Sequence, residues 1–431
     1  MYTNTNTIIL IFKVMLEDKD LSIKDVVTFG KIKLFRRTEM ISINKRSKGF
    51  NFEGGLYDIF QNALKLESEG KSIIHMEIGK PDFDSPINAK EAAKQSLDEG
   101  FVHYTEMKGI ESLRKAITSK YKRDYNLQYN YDTEIIITAG ACEAIGIIML
   151  AMMEPGDEII IPSPFFSAYA EQAIIANVNI VEVPLKMENG FSLKVEDLRK
   201  CINDKTKIIL INTPHNPTGA IMEEEDLREI ANLAIEKDLL VISDETYDQF
   251  LFSGKHFSIA SIPGMSERTL VVNSASKTFS MTGWRIGYVM GPAWILKYLN
   301  KIHQNFSTCA TSFAQVGAAE AYNNGEEFTK NMLLEFERRG KLVYDSLKDV
   351  KGLKLLEPKG AFYVFINIEE TGMNEVDFCN YILEEAGVAI VPGSSFGKYG
   401  KGFVRMCYAC SYEQIEIAMN RIKRAVEKLT K

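Results

Sequence analysis

Short apolar, β-branched runs recur along this chain and are separated by helical patterns, and this alternation limits the fold more than any other feature of the sequence. The runs are EIIITAG (134–140), DEIIIPS (157–163), VNIVEVPL (178–185), KIILINTP (207–214), LLVISDE (239–245) and TLVVNSAS (269–276). Most are separated by segments such as ACEAIGIIMLAMM and EEEDLREIANLAIEK. Strands that are apolar at nearly every position must be covered on both faces, so the pattern predicts an α/β fold with a mainly parallel sheet between helices. From Phe313 the pattern changes to long helices around a few short strands (AFYVFIN, VAIVPG, FVRMCYA), which predicts a smaller α+β domain. The expected division is a large domain over 88–312, a small domain over 313–431, and an N-terminal arm over 40–87 that also contributes to the small domain.

Ligands of such sheets bind beyond the carboxyl ends of the strands. The segments at those ends are AGACEA, HNPTG, SDETY and SASK, each carrying a distinct chemistry. Gly140, Ala141 and Cys142 open a helix, where backbone N–H groups and the helix dipole favour a phosphate. Asp244 suits a protonated ring nitrogen, and Asn216 and Tyr247 can donate hydrogen bonds to a phenolate oxygen. Phe166, in PSPFFSAY, can stack on a ring. Lys277 suits a Schiff base with an aldehyde. Ser274 and Arg285 complete a phosphate cradle, the guanidinium gripping two oxygens in a fixed fork. Phosphate, ring nitrogen, phenolate and aldehyde together describe pyridoxal 5'-phosphate.

The chain of 431 residues carries a formal net charge of -7, which argues against nucleic acid or an anionic membrane surface as the main partner. The six cysteines are scattered and read as reduced thiols of a cytoplasmic protein. Cys407 and Cys410 form a C-x-x-C, but a strand there would point them to opposite faces. The five histidines (75, 103, 215, 256, 303) show no metal spacing and read as structural or surface groups, with His215 set beside the expected cofactor loop. Ser274 to Lys277 is formally an S-x-x-K, yet no K-T-G accompanies it; Gly393 to Gly397 is formally a G-x-S-x-G, yet no histidine follows. Neither serine-hydrolase reading is complete. The segment TNTIILIFKVML contains Lys13 and is too short to cross a membrane. Residues 1 to about 39 are expected to be a non-native upstream extension or a disordered tail, with Met40 as an ordinary start.

The motifs IGKPDFDSP, HYTEMKGIESLRKAI, TAGACEA, PSPFFSAY, NTPHNPTG, SDETYDQF, SASKTFSMTGWRIG, PKGAFYVF and GFVRMCYA run in order from about Leu56 to the C-terminus. In that order they resemble the class I/II aminotransferases of pyridoxal-phosphate fold type I, most of all the bacterial aspartate and aromatic aminotransferase subgroup. The resemblance implies a seven-stranded large-domain sheet and assigns Lys277 as the Schiff-base lysine. It pairs Asp244 with the ring nitrogen, Asn216 and Tyr247 with the phenolate, and Phe166 with the ring face. Ser274, Arg285, Ala141 and Cys142 match phosphate-binding positions, and Tyr104 matches a tyrosine that reaches the phosphate of a neighbouring subunit. Gly79, Asn216 and Arg405 match residues that hold the substrate, the arginine its α-carboxylate. Cys142 stands where the family often has a hydroxyl, Lys or Gln, and Phe166 where it has Trp or Tyr. Asn216-Pro217 matches a cis peptide. The implied activity is ping-pong transfer of an amino group between an L-amino acid, of aspartate or aromatic type, and a 2-oxo acid, by a homodimer. A carbon–sulfur β-lyase on the same fold is the alternative. A pyridoxal-phosphate-sensing transcription regulator would need a DNA-reading module for which the residues ahead of Met40 are too few.

Overall fold

The structure is a computed structural model that describes residues 43, 44, 46–50 and 55–429. The expectation about residues 1 to 39 lies outside the described residues. The chain divides into two compact units, Met1–Phe50 and Asn51–Lys431. In the first, Ser47–Gly49 form a single 3₁₀ turn opened by Asn44, whose Oδ1 accepts the Ser47 N–H at 2.9 Å.

In the second unit the strands, in chain order, are β1 (Ile74–His75), β2 (Ile135–Thr138), β3 (Glu158–Ser163), β4 (Asn179–Pro184), β5 (Thr206–Asn212), β6 (Leu240–Asp244), β7 (Thr269–Ser274), β8 (Gly287–Met290), β9 (Tyr363–Asn367), β10 (Val388–Ala389), β11 (Val391–Pro392) and β12 (Phe403–Cys407). Seven of them form one sheet in the order β2-β8-β7-β6-β5-β3-β4. It is parallel except for β8, which runs antiparallel to both β2 and β7. β8 was not among the runs read as strands. The link from β7 to β8 holds only the four-residue helix Ala275–Thr278 and the 3₁₀ turn Thr282–Trp284, too little for a crossover helix, so the chain turns straight back.

Side chains alternate across this sheet, and both faces are apolar. Ile159, Ile161, Ile208, Leu210 and Ile242 pack under helices Ala141–Met152, Ala168–Ala176 and Ala293–Phe306. Ile160, Ile209, Ile211 and Val241 pack under helix Glu224–Glu236. Near β2 and β8 the same face is covered by helices Glu111–Tyr125 and Ser312–Asn324. Helix Ser312–Asn324 begins beside the boundary expected at 313. The face of helix Ser312–Asn324 is made of Ala314, Ala318 and Ala321, and at Gly317 it approaches the Ala89 carbonyl and Trp284 too closely for a Cβ, so it belongs to the core of the large sheet.

A separate core lies around β9 and β12 under helices Glu326–Leu347, Glu375–Ala386 and Tyr412–Leu429. The run VAIVPG does not make one strand. It breaks at Ile390, so that β10 pairs in parallel with β1 while β11 joins β12 and β9 in an antiparallel sheet. The pairing with β1 brings the segment before Gly79 into the same region as the C-terminal third of the chain. β12 ends at Cys407, so Cys410 lies past the strand rather than on its opposite face.

Candidate active site

Because β8 reverses twice the sense of its neighbours, β2 runs in the same direction as β3, β5, β6 and β7, and all five carboxyl ends open at one edge. A cavity of about 240 Å³ lies there. Every expected site residue lines it except Gly140 and Tyr104. Gly140 sits just behind, capping the helix that begins at Ala141. Its φ is 89°, and a Cβ there would run into the Arg285 guanidinium, so the turn requires glycine. Tyr104 is 86% exposed and is not brought to this chain's own cavity.

The strand ends supply the side chains in turn. Ser274 closes β7 and caps the short helix after it, its Oγ accepting the Ser276 N–H at 3.3 Å. That helix turns Lys277 into the cavity, where Nζ donates to the Gly79 carbonyl at 2.6 Å. Loss of surrounding water pushes the Lys277 amine down to about 8, and Arg405 and Arg285 push the same way. Asp244 closes β6. Its Oδ2 accepts the Tyr169 hydroxyl at 2.5 Å, and its Oδ1 accepts the hydroxyl and N–H of Thr246 at 2.6 and 3.1 Å. Burial raises this carboxyl above its usual range, outweighing the lowering effect of those hydrogen bonds. A cation beside it would stabilise the ionised form.

Asn212, at the end of β5, accepts the Asn216 N–H on Oδ1 at 3.0 Å and donates from Nδ2 to the Asp244 carbonyl at 2.9 Å, fixing two strand ends together. Asn216-Pro217 is cis, as the resemblance implied, and so are Ser163-Pro164 and Thr213-Pro214. Arg405 comes from β12 and is 3% exposed. Its Nη1 donates to Asn216 Oδ1 at 3.2 Å, its Nη2 donates to the Glu77 carbonyl, and its Nε has no hydrogen-bond partner. The guanidinium lies between the rings of Tyr363 and Phe396, at 4.8 and 4.7 Å from their centroids. Arg285, with φ 56°, donates to the carbonyls of Thr282 and Ala139 at 3.1 and 3.0 Å. Tyr247 and Tyr363 share a hydrogen bond of 2.7 Å between their hydroxyls. Phe166 lines the wall edge-on to Tyr169.

Among the described residues, no carboxylate pairs with Lys277, Arg285 or Arg405, and Asp244 is the one acid in the lining. A chain of net charge -7 thus keeps an electropositive hollow at its sheet edge. The orphaned Nε of Arg405, the free amine and the N–H groups opening helix Ala141–Met152 fit a dianionic, carbonyl-bearing ligand and a carboxylate beside it.

Tyr169, Asn212 and Tyr363 also line the cavity and were not picked out from the sequence. Tyr169 ends the motif PSPFFSAY and Tyr363 lies within PKGAFYVF, and only the tertiary fold shows that their hydroxyls meet Asp244 and Tyr247. His215 is buried and pushed down to about 3, so it is a neutral packing group held by the Thr218 hydroxyl at 2.7 Å. Burial pushes the thiols of Cys407 and Cys410 up to about 11 and about 12, which leaves little thiolate for redox or metal chemistry. All six cysteines are free.

Fold and cavity together define an α/β scaffold whose sheet-edge hollow gathers an amine, two guanidinium groups and one carboxylate. The family model for aminotransferase class I and II matches residues 71–422. The aspartate aminotransferase of Pyrococcus abyssi is 44% identical over 365 residues, covering 84% of this chain and 94% of its own. Aromatic-amino-acid aminotransferase 2 of Thermococcus litoralis is 40% identical over 395 residues, covering 91% and 98%. The crystal structure of the aromatic aminotransferase from Pyrococcus horikoshii superposes with a TM-score of 0.81 at 43% identity, covering 85% of this chain and 98% of that one. The chain belongs to the class I and II aminotransferases, enzymes that use pyridoxal 5'-phosphate to move amino groups between amino acids and 2-oxo acids.

Proposed function

We propose that this aminotransferase takes L-amino acids of aspartate or aromatic type and works by two half-reactions in ping-pong order, with the cavity at the sheet edge as its active site. The observation that carries the site is the meeting, in one hollow, of an amine and two guanidinium groups that have no carboxylate partner among the described residues with a single buried carboxylate. Pyridoxal 5'-phosphate supplies, when bound, an aldehyde for amines to condense with and a ring that takes up the electron pair left at the substrate Cα.

The residues divide the remaining work. The N–H groups of Ala141 and Cys142, the Ser274 hydroxyl and the Arg285 fork hold the phosphate, and Gly140 lets Arg285 approach the turn. Phe166 covers the ring face. Asp244, kept in place by Tyr169 and Thr246, holds a proton at the ring nitrogen. Asn216 and Tyr247 donate to the ring oxygen. Arg405 binds the substrate α-carboxylate with the backbone of Gly79 alongside. Lys277 would hold the cofactor aldehyde through Nζ and, as a free amine, would move the proton at the substrate Cα. An amine lowered to about 8 has a substantial neutral fraction near neutral pH, which an ordinary lysine lacks.

The range of substrates is supported by the names of the two relatives, one acting on aspartate and one on aromatic amino acids. We read the enzyme as a cytoplasmic homodimer. Phe101, Val102 and Tyr104 present an exposed apolar loop, and Tyr104 is free to complete the site of a second copy. No described helix is long and apolar enough to cross a membrane. Lys277→Ala tests the site directly. Transamination is expected to fall by at least about a thousandfold while the protein still binds the cofactor noncovalently; substantial residual turnover would refute the assignment.

A further inference from the structure

The turn that opens helix Ala141–Met152 is held from behind by side chains that do not line the cavity. The Ala139 N–H donates to Glu143 Oε2 at 2.5 Å, while the Ala139 carbonyl accepts from Arg285 at 3.0 Å. The other oxygen of Glu143 accepts the Ser307 hydroxyl at 2.7 Å and lies 2.7 Å from His303 Nδ1. His303 is fully buried, and its Nε2 lies 3.0 Å from the Met107 carbonyl. A carboxylate on one side and a carbonyl on the other are both acceptors. The ring thus bridges the Glu143 carboxylate and the Met107 carbonyl. Burial alone would raise the Glu143 carboxyl, but the bonds from His303, the Ala139 N–H and Ser307 bring it below its usual range, consistent with a carboxylate in that place.

We propose that Glu143 and His303 are positioning residues for the cofactor phosphate. The pair pins the 139–142 turn to the loop that carries Met107 and Tyr104, so that the N–H groups of Ala141 and Cys142 and the Arg285 fork keep one aim. The inference rests on the reading of that turn as the phosphate site. The loop has ties of its own, since the Lys108 carbonyl accepts the Ile137 N–H at 3.0 Å and Gln315 donates to the Thr105 hydroxyl at 3.2 Å. His303 joins that already anchored loop to the turn. A rigid aim matters for phosphate because fixed dipoles and charges bind it only at the right distance and angle. The aldehyde and ring, held by other strands, gain nothing from this pair.

The test compares two ligands on the full-length chain freed of cofactor: pyridoxal 5'-phosphate, and pyridoxal, which lacks the phosphate. Dissociation constants are read from protein fluorescence for wild type, Glu143→Gln, His303→Gln and Ser307→Ala. Wild type is expected to hold the phosphorylated ligand far more tightly. The Glu143 and His303 variants are expected to reduce that preference by about tenfold, with the affinity for pyridoxal nearly unchanged. Ser307→Ala removes one hydrogen bond and no charge, so it keeps the test readable if a variant at the buried pair fails to fold, and it is expected to shift the preference less in the same direction. An unchanged preference in the folded variants, or equal weakening of both ligands, overturns the positioning role. Equal affinity of wild type for both ligands would instead overturn the phosphate site itself.

Discussion

Lys277 Nζ donates to the carbonyl of Gly79 at 2.6 Å, joining residues 198 positions apart in the chain. One comes from the turn after β7 and the other from the segment after β1, so the amine sits where the large sheet meets the region built around β10 and β12. There it is held down to about 8, well below an ordinary lysine. Only the neutral amine attacks an aldehyde. The rate at which cofactor-free protein takes up pyridoxal 5'-phosphate, followed by its visible absorbance, should therefore rise with pH and level off above about 8. A rate still climbing toward 10.5 would mean that the amine is not perturbed.

Arg405 grips Asn216 and the Glu77 carbonyl, leaving Nε without a partner in a nearly water-free setting. Arg405→Lys replaces a planar fork by a point charge on a shorter reach. It should lower kcat/KM by about a hundredfold, mostly through KM, and by a similar factor for every amino acid, since all share the α-carboxylate. Steady-state kinetics with an acidic and an aromatic substrate checks this; a loss confined to one class would move Arg405 to the side-chain pocket.

The alternation of apolar runs and helices made the large sheet legible, because strands buried on both faces cannot hide their composition. The residues at the strand ends were legible for the same reason: Lys277, Asp244 and Asn216 each lie at or just past the end of such a run. β8 and β1 were not, since each is set by partners distant in sequence, and VAIVPG splits at Ile390 for the same cause. The supporting groups were hidden too. That the hydroxyls of Tyr169 and Tyr363 meet Asp244 and Tyr247 depends on helix and strand placement that no local pattern carries.

Tyr169 offers a third test. Its hydroxyl is one of the groups that keep the Asp244 carboxyl from rising further. In Tyr169→Phe that carboxyl should rise, so the ionised form is lost at a higher pH as the solution is acidified. The acid limb of the kcat profile should move upward, with roughly a tenfold loss of kcat near neutrality. An unmoved acid limb would separate Asp244 from the rate-limiting chemistry.

Below the site, Lys120 Nζ lies 2.6 Å from Asp248 Oδ2 and both are buried, with the Tyr125 hydroxyl on the same oxygen at 2.5 Å. Burial alone would raise the Asp248 carboxyl; the charges of Lys120 and His256 and the hydrogen bonds bring it below its usual range. A depressed carboxyl stabilises the fold fully above its unfolded value, near 4, and progressively less as pH falls through the folded value. Lys120→Met strands the carboxylate and should cost about 3–5 kcal/mol at neutral pH. Denaturant unfolding at pH 7 and pH 4 should show the variant's deficit shrinking at the lower pH, where a protonated Asp248 no longer needs its partner. A deficit independent of pH would mean that lost packing, rather than lost pairing, dominates.

The most direct measurement of the central claim follows the nitrogen. The enzyme is mixed with amino-¹⁵N aspartate or tyrosine and with 2-oxoglutarate, and in parallel with cysteine and no acceptor. Transamination at this site predicts ¹⁵N-glutamate formed one for one with the new 2-oxo acid, parallel initial-rate lines, and no release of ammonia. Pyruvate, ammonia and sulfide released from cysteine at a comparable rate, with little label reaching glutamate, would contradict it.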